Sequence, residues 1–391
     1  MTPTLLAVNA GSATLKFRVY SLDGVTLHMS GLIDRFGESG HSTLTLTDPR
    51  GTRLIEHTLE QEGKDAAVTA MIDTLAAHHL DVEVVAHRVV HGGSHYREPA
   101  IIDNAVRDTL ETLVPLAPLH QPVSLAVIDA FATLYGHLTQ IACFDTAFHA
   151  SQPEVATRFG IARHWHDEGV RRYGFHGLSY ASISRRLPEL GLGDARVVVC
   201  HLGSGASACA IAAGQSVAAS TGFSAVEGLM MSTRPGSLDP EVVLYWMEHE
   251  GMGVGEVRRE LYKNSGLLGV SGISADMRTL LASGEAAARE AVELFCYRTV
   301  KEIGALAACM KGIDALIFTA GIGERSPEIR ARIVKQLDWL GFELDHAANL
   351  AQARRLTSSG SARQAYMLPT DEEGEMARSA GAMLAGSDLA A

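Results

Sequence analysis

One strand-turn-strand pattern occurs twice in this chain, and the repetition limits what the chain can fold into. Residues 5–20 read LLAVNAGSATLKFRVY and residues 197–212 read VVVCHLGSGASACAIA. With Gly11 set on Gly203 and Ser12 on Ser204, each copy has an apolar run before a small Gly/Ser turn and a further strand after it. In the first copy Leu15, Phe17 and Val19 face one way and Lys16, Arg18 and Tyr20 the other, the alternation of a half-buried strand. Backbone N–H groups of such turns form anion-binding concavities, and Ser and Lys add donors and charge. A single copy reads more readily as an ordinary β-hairpin. Two copies point to two related domains facing one phosphate ligand, and so to a nucleotide-dependent phosphotransferase.

The length of 391 residues allows two domains with cores of their own, and 47% hydrophobic and 20% charged residues fit a globular protein. The net charge is −12 with both signs mixed along the chain, which argues against nucleic acid as a partner. No basic, apolar leader opens the sequence and no run of 18 apolar residues occurs, so neither a signal peptide nor a membrane span is expected. Cys143, Cys200, Cys209, Cys296 and Cys309 form no CxxC pair, sit in apolar stretches and read as reduced core cysteines.

Strands are expected at 4–9, 14–20, 25–33, 42–48, 83–90, 141–145, 197–202, 206–212 and 315–320. Helices are expected near 64–79, 103–114, 122–135, 177–187, 239–250, 285–310, 327–338 and 371–387. Strands alternating with helices indicate an α/β protein with mixed sheets. A domain boundary is expected near residue 148. Asp371 fits an N-cap for the last helix, with Glu372 and Glu373 complementing its positive end.

Arg88 lies in the apolar run VVAHRVVHGG, where it needs either an internal ion pair or an anionic ligand. Arg234 lies in a Gly- and Pro-containing loop. Asp145 ends the apolar strand IACFD, which suits either a ligand site at the carboxyl end of a strand or a cap for the next turn. His120 and His176 have no second ligand at metal spacing, so zinc is not expected, and the His164–Trp165–His166 cluster reads as surface. GIGER at 321–325 follows an apolar strand, and Ser326 with Pro327 starts the next helix. The dinucleotide fingerprint fails there because Ser326 stands where its third small residue belongs, which argues against a dinucleotide oxidoreductase. Gly203 to Ala208 matches GxGxxA, but its twin at 11–12 leads into a strand. No Walker loop exists: Asp65 follows Gly63-Lys64 and position 58 is Thr.

Eleven segments in order resemble the acetate kinase family of the sugar kinase, heat-shock protein and actin superfamily. They are NAGSATLKF, HRVVHGG, APLHQP, FDTAFH, YGFHGLS, HLGSGAS, EGLMMSTR, SGLLGVSG, ADMR, FTAGIGE and TDEE, from residue 9 to residue 373. The resemblance implies two duplicated actin-like (ribonuclease H-like) domains with an active-site cleft between them. The N-terminal domain would span 1–148. The nucleotide-binding and dimerisation domain would span 149–370, and a C-terminal helix over 371–391 would return toward the first. It implies a cytoplasmic homodimer that transfers a phosphoryl group reversibly from ATP to acetate, with Mg²⁺ or Mn²⁺, giving acetyl phosphate and ADP.

By the same resemblance, Asn9 and Glu372 hold the metal, and Lys16 and Ser12 contact phosphate. Arg88 and Arg234 bind the carboxylate and the moving phosphoryl group; Asp145 is the catalytic acid and His176 stabilises the transition state. ATP contacts fall on His201, Leu202, Gly203, Ser204 and Gly205, on Asp276, Met277 and Arg278, and on Gly321, Ile322, Gly323, Glu324 and Arg325. Val90, Leu119, Phe175 and Ala225 form the acyl wall. The chain departs from the family at Ser204 (usually Asn), Ala218 and Ala219 (Asp, Thr), Ala225 (Pro) and Pro235-Gly236-Ser237 (Ser-Gly-Asp). Propionate is the close alternative substrate, and a non-catalytic nucleotide-binding module the alternative of another class.

Overall fold

The computed structural model describes residues 2–11, 14–35, 42–59 and 63–388. The chain divides into two compact units. The first comprises Met1–Phe148, Gly177–Ser182 and Asp371–Ala391, the second His149–His176 and Ile183–Thr370.

The first unit is built on an eight-stranded sheet: β1 Thr2–Ala10, β2 Thr14–Ser21, β3 Leu27–Asp34, β4 Thr43–Thr47, β5 Arg53–Thr58, β6 Leu80–Val89, β7 Ala100–Ile101 and β8 Thr139–Phe144. Their order is β5-β4-β3-β2-β1-β6-β8-β7. The second unit has five strands, β9 Arg196–Leu202, β10 Ala206–Ala212, β11 Gln215–Ala219, β12 Ala315–Thr319 and β13 Gln364–Met367, in the order β11-β10-β9-β12-β13. In the first sheet β3, β2 and β1 pair antiparallel, and β1, β6 and β8 parallel. In the second, β11, β10 and β9 pair antiparallel, and β9, β12 and β13 parallel. Five strands of each unit thus share one order and one set of directions, which is the duplicated actin-like α/β fold.

The apolar run of β1 has no polar alternation because both faces of the sheet are covered. Leu6 and Val8 pack with Phe17, Val68, Met71, Val127 and Phe131 beneath the helices Lys64–Ala77 and Gln121–Leu134. Leu5 and Ala7 pack with Ala86, Met376, Ala377 and Ala380 beneath the helix Glu372–Asp388. Asp371 caps that helix, its Oδ1 accepting the Gly374 N–H at 3.2 Å. In the second unit the helix Ala286–Cys309 lays Ala288, Val292, Phe295 and Cys296 against the sheet residues Val198, Cys200, Ala208 and Leu316. No helix among the described residues is long and apolar enough to cross a membrane.

Four expectations change. Strands β5, β7, β11 and β13 lacked a readable signal, because β5 is largely exposed and polar and the other three are only two to five residues long. GIGER, expected only as the link between a strand and the helix start at Ser326, is itself part of a short helix, Ala320–Arg325. Tyr20 shares a face with Lys16 and Arg18 yet is buried, since the last helix packs over its end of β2. Cys309 is exposed at the end of its helix, while the other four cysteines are buried; all five are free.

Gly31 on β3 shows how closely the first sheet is packed. A β-carbon there would lie 2.0 Å from Phe17 Cζ, so the ring lies where a side chain of residue 31 would begin. Burying such a ring stabilises the fold by roughly 1.5–3 kcal/mol. Gly31→Ala should therefore lower unfolding stability by about 1–3 kcal/mol, the usual cost of overpacking. Adding Phe17→Leu should return part of the loss. A Gly31→Ala urea midpoint equal to wild type would refute this packing.

Candidate active site

In the first unit a buried charge cluster joins three strand ends and the start of the last helix. Arg88 stands near the end of β6 and Asp145 directly follows β8. Arg88 Nε donates to both Asp145 oxygens at 3.1 Å and Nη2 to Oδ2 at 2.6 Å. Its Nη1 donates to Asn9 Oδ1 at 3.1 Å, and Asn9 Nδ2 in turn donates to Glu372 Oε2 at 3.2 Å and Glu373 Oε1 at 3.1 Å. Asp145 is 1% exposed. Burial alone would lower the proton affinity of Arg88; Asp145, Glu372 and Glu373 reverse that and raise it. Glu372 is pushed up to about 7, first by burial and then by Asp145 and Glu373, against the pull of Arg88 and Lys16. Lys16 is exposed on β2, opposite Asn9 in the β1–β2 register. Ser12 lies outside the described residues.

Backbone constraints hold this cluster. The Gly177 N–H donates to Asp145 O at 2.8 Å, and a β-carbon at Gly177 would lie 2.2 Å from that oxygen, so only glycine fits. The preceding His176 has φ 59°, a left-handed conformation that a histidine holds only under constraint.

In the second unit the turn joining β9 and β10 brings together four expected site residues. His176 Nδ1 lies 2.7 Å from Ser207 Oγ, and its ring stacks on His201 with centroids 4.2 Å apart and planes at 11°. A β-carbon at Gly205 would stand 3.1 Å from Arg234 Nη2 and 3.3 Å from His176 Nε2, so the turn runs past both side chains. Arg234 Nη1 donates to Ala225 O at 2.6 Å. Burial lowers the proton affinity of this guanidinium, and among the described residues no carboxylate pairs with it. That is the reverse of Arg88: a desolvated cation that lacks an anion. The segment SGLLG braces its loop. The Leu267 N–H donates to Met231 O at 2.9 Å, and a β-carbon at Gly266, whose φ is 66°, would lie 2.2 Å from that same oxygen.

The second Gly-rich segment adjoins the first. Thr319 pairs with His201 in the β12–β9 register, and a β-carbon at Gly203 would lie 3.6 Å from Ala320 Cβ. Leu202 is buried and Ser204 exposed, the Ser204 carbonyl accepting the Ser232 N–H at 3.1 Å. Gly321 is exposed with open space where a side chain would be, Ile322 is half-buried, and Arg325 ends the helix. Glu324 turns inward: its Oε1 accepts the N–H groups of Ala320 at 2.8 Å and Thr370 at 3.1 Å. Asp276 caps the helix Met277–Ala282, whose first residue Met277 is buried. Arg278, 89% exposed, pairs with Asp276 alone among the described residues. Val90 is buried and Leu119 is 38% exposed in the first unit; Phe175 is buried and Ala225 half-buried in the second.

Proteins of known identity resemble this chain over nearly its whole length. The Acetokinase family model matches residues 4–378. The chain belongs to the acetokinase family. It is 45% identical over 402 residues to an acetate kinase of Methylocella silvestris, covering 98% of each chain. It is 46% identical over 391 residues to an acetate kinase of Rhodopseudomonas palustris, covering 97% of this chain and 98% of the other. Among solved structures, a propionate kinase from Francisella tularensis superposes with a TM-score of 0.90 at 30% identity, covering 97% of this chain and 99% of that one. The Porphyromonas gingivalis acetate kinase gives 0.87 at 32%, covering 98% and 100%.

Family motifs did not single out several partners in the site. Glu373 shares Asn9 with Glu372, and Arg18 pairs with Asp371 at 2.6 Å. Arg172 pairs with Glu227 at 2.5 Å and donates to Ser220 O at 3.1 Å, holding both ends of the segment that carries Ala225. Ser207 was inside a quoted motif, but nothing local told that it faces His176.

The charge cluster predicts an order of stabilities. Arg88→Met leaves Asp145, Glu372 and Glu373 facing one another and should cost about 3–5 kcal/mol, as when one partner of a buried pair is removed. Asp145→Asn should cost less, because Arg88 keeps Asn9 and two other carboxylates nearby. Urea denaturation of both variants checks this; an Arg88→Met protein as stable as wild type would refute it.

Proposed function

We propose that this chain is an acetate kinase, transferring the γ-phosphoryl group of ATP to acetate to give acetyl phosphate and ADP, reversibly. The observation that carries the reading is Arg234: a half-buried arginine with no carboxylate partner among the described residues, set against the His201–Gly205 turn and His176. The acetate kinases at 45% and 46% identity over nearly the whole chain support the same activity.

An acetate carboxylate oxygen attacks the γ-phosphorus, a P–O bond forms, and the bond to the β–γ bridging oxygen breaks. The electron pair leaves with ADP. Acetate is already ionised near neutral pH, so no general base is needed. Catalysis then rests on positioning and charge stabilisation. We assign Arg88 and Arg234 to the carboxylate and the transferring phosphoryl oxygens, where planar forks suit both anions. Asp145 orients Arg88 rather than abstracting a proton, since that guanidinium engages both its oxygens. The His176 ring, 2.7 Å from Ser207 Oγ through Nδ1 and stacked on His201, is assigned to stabilising the transferring phosphoryl group. Lys16 and Ser12 are assigned to phosphate. The two Gly-rich segments are assigned to the nucleotide, with Asp276–Arg278 at its far end.

Asn9 and Glu372 are the residues we assign to Mg²⁺ or Mn²⁺. Three carboxylates crowd one guanidinium here and Glu372 is pushed up to about 7, so a divalent cation suits the donor set. Among the described residues no group of three or more His, Cys, Asp or Glu side chains is arranged to hold a metal ion by itself. When bound, such an ion neutralises charge on the β- and γ-phosphate oxygens. A cytoplasmic homodimer is part of the proposal. Exposed Leu244, Tyr245, Met247, Val254, Val270 and Tyr297 on second-unit helices support self-association.

Propionate is the second reading, favoured by one observation. Ala225 replaces the family's proline, and its carbonyl is the acceptor that holds Arg234. A lost ring there leaves room for a methylene, worth about 1–3 kcal/mol of discrimination. A hydroxamate assay should detect acyl phosphate from acetate, with propionate also used; no product from either would favour the non-catalytic module. Arg234→Lys should lose about 2–4 kcal/mol of transition-state stabilisation. Ala225→Pro should lower the propionate-to-acetate ratio of kcat/KM. An unchanged ratio removes Ala225 from chain-length choice, and unchanged kcat/KM in Arg234→Lys removes the fork.

A further inference from the structure

Among the described residues Arg330 is the largest fully buried side chain, at 0% exposure on the helix Pro327–Lys335, and it has no assigned role in phosphoryl transfer. Among the described residues its guanidinium meets no carboxylate. Nε donates to Asn349 Oδ1 at 2.8 Å and Nη2 to Asn349 O at 3.0 Å. Nη1 donates to Gly323 O at 2.9 Å and Glu324 O at 2.7 Å. A buried cation among neutral acceptors is costly, and an aliphatic side chain would fill the same volume.

The neighbouring helix explains what the cation does. In a continuous helix the Gly323 carbonyl would accept from residue 327, but residue 327 is proline and has no N–H. Arg330 Nη1 supplies the missing donor and takes the next carbonyl as well. At the other end, Ala320 holds φ 64°, and its N–H is fixed by Glu324 Oε1, which also binds Thr370 N–H. The short helix Ala320–Arg325 is therefore held at both ends in a strained conformation. Gly321, between the two anchors, is exposed with open space beside it. Asn349 keeps the guanidinium in its plane and is itself fixed by Nδ2 donating to Pro327 O at 2.8 Å.

We propose that Arg330, oriented by Asn349, is a positioning residue for nucleotide binding, holding the Ala320–Arg325 helix in the shape that receives ATP. This rests on the assignment of that helix to the nucleotide. Arg330 touches no substrate; it acts through the carbonyls of Gly323 and Glu324. An ammonium cannot reach four acceptors spread around a planar fork, so lysine does not replace it.

The test compares Arg330→Met, Arg330→Lys, Asn349→Ala and Gly321→Val in the full chain, with folding checked by circular dichroism. The readouts are ADP affinity by calorimetry, KM for ATP, KM for acetate, and kcat at saturating ATP. Both Arg330 variants should weaken ADP binding and raise KM for ATP about tenfold or more, leaving acetate KM and kcat within about threefold. Asn349→Ala should move the same two quantities in the same direction, and decides the matter should the Arg330 variants not fold. Folded variants with wild-type ADP affinity would overturn the proposal. So would acetate KM and kcat changing in step with nucleotide affinity, the mark of a merely structural residue. Gly321→Val tests the underlying assignment separately. Unchanged ADP affinity in that variant would show that the helix is not a nucleotide site. Loss of affinity there, with none in the Arg330 and Asn349 variants, would refute the positioning role alone.

Discussion

The first unit is organised around the Arg88–Asp145 pair. A guanidinium and a carboxylate leave water together only if their remaining hydrogen-bonding groups are satisfied. Asn9 answers that demand by accepting from Arg88 and donating to Glu372 and Glu373. Those bonds tie the ends of β1, β6 and β8 to the start of a helix more than 350 residues away from Asn9 in sequence. The same pairing leaves the cluster rich in carboxylate, with Glu372 and Glu373 both on Asn9. A single ion pair therefore underlies the closure of the unit.

The second unit solves a different electrostatic problem. Arg234 is desolvated and held by the backbone oxygen of Ala225, with glycines at 205 and 266 allowing close approach of the turn and of the bracing segment. Because residue 225 holds the arginine through its carbonyl, a change of side chain at 225 reaches Arg234 through the backbone. Ala218 and Ala219, the neighbouring departures from the family, are buried on β11 beside β10, where small side chains fit the sheet. Their loss of polar groups is compatible with this packing, and the Arg172–Glu227 pair independently holds the following segment.

Duplication links these two solutions. In each sheet the first strand pairs antiparallel with the next strand in sequence and parallel with a later one, and in both the sequence between the first two strands is rich in Gly and Ser. Family membership, with acetate kinases at 45% and 46% identity, accounts for the eleven segments recurring in order. The departures fall on side chains around that shared backbone and leave the fold intact.

Sequence alone determined the features that depend on neighbours a few residues apart. The two hairpins, the apolar strands around them, the Asp371 cap and the Ser326–Pro327 helix start all follow from local periodicity and backbone chemistry. Arg88 in an apolar run required a partner, and Asp145 at a strand end was one residue able to serve. Only the tertiary structure decided that these two are partners. It also showed that Glu373 joins Glu372 on Asn9, that His176 faces Ser207, and that Glu324 turns inward. The buried Arg330 likewise replaces a donor that Pro327 cannot supply. Side-chain hydrogen bonds of this kind join residues far apart in the chain, and periodicity carries no record of where a polar group finds its complement. Strands β11 and β13 were missed for a related reason: they are too short to show alternation and are strands because β10 and β12 supply their hydrogen bonds.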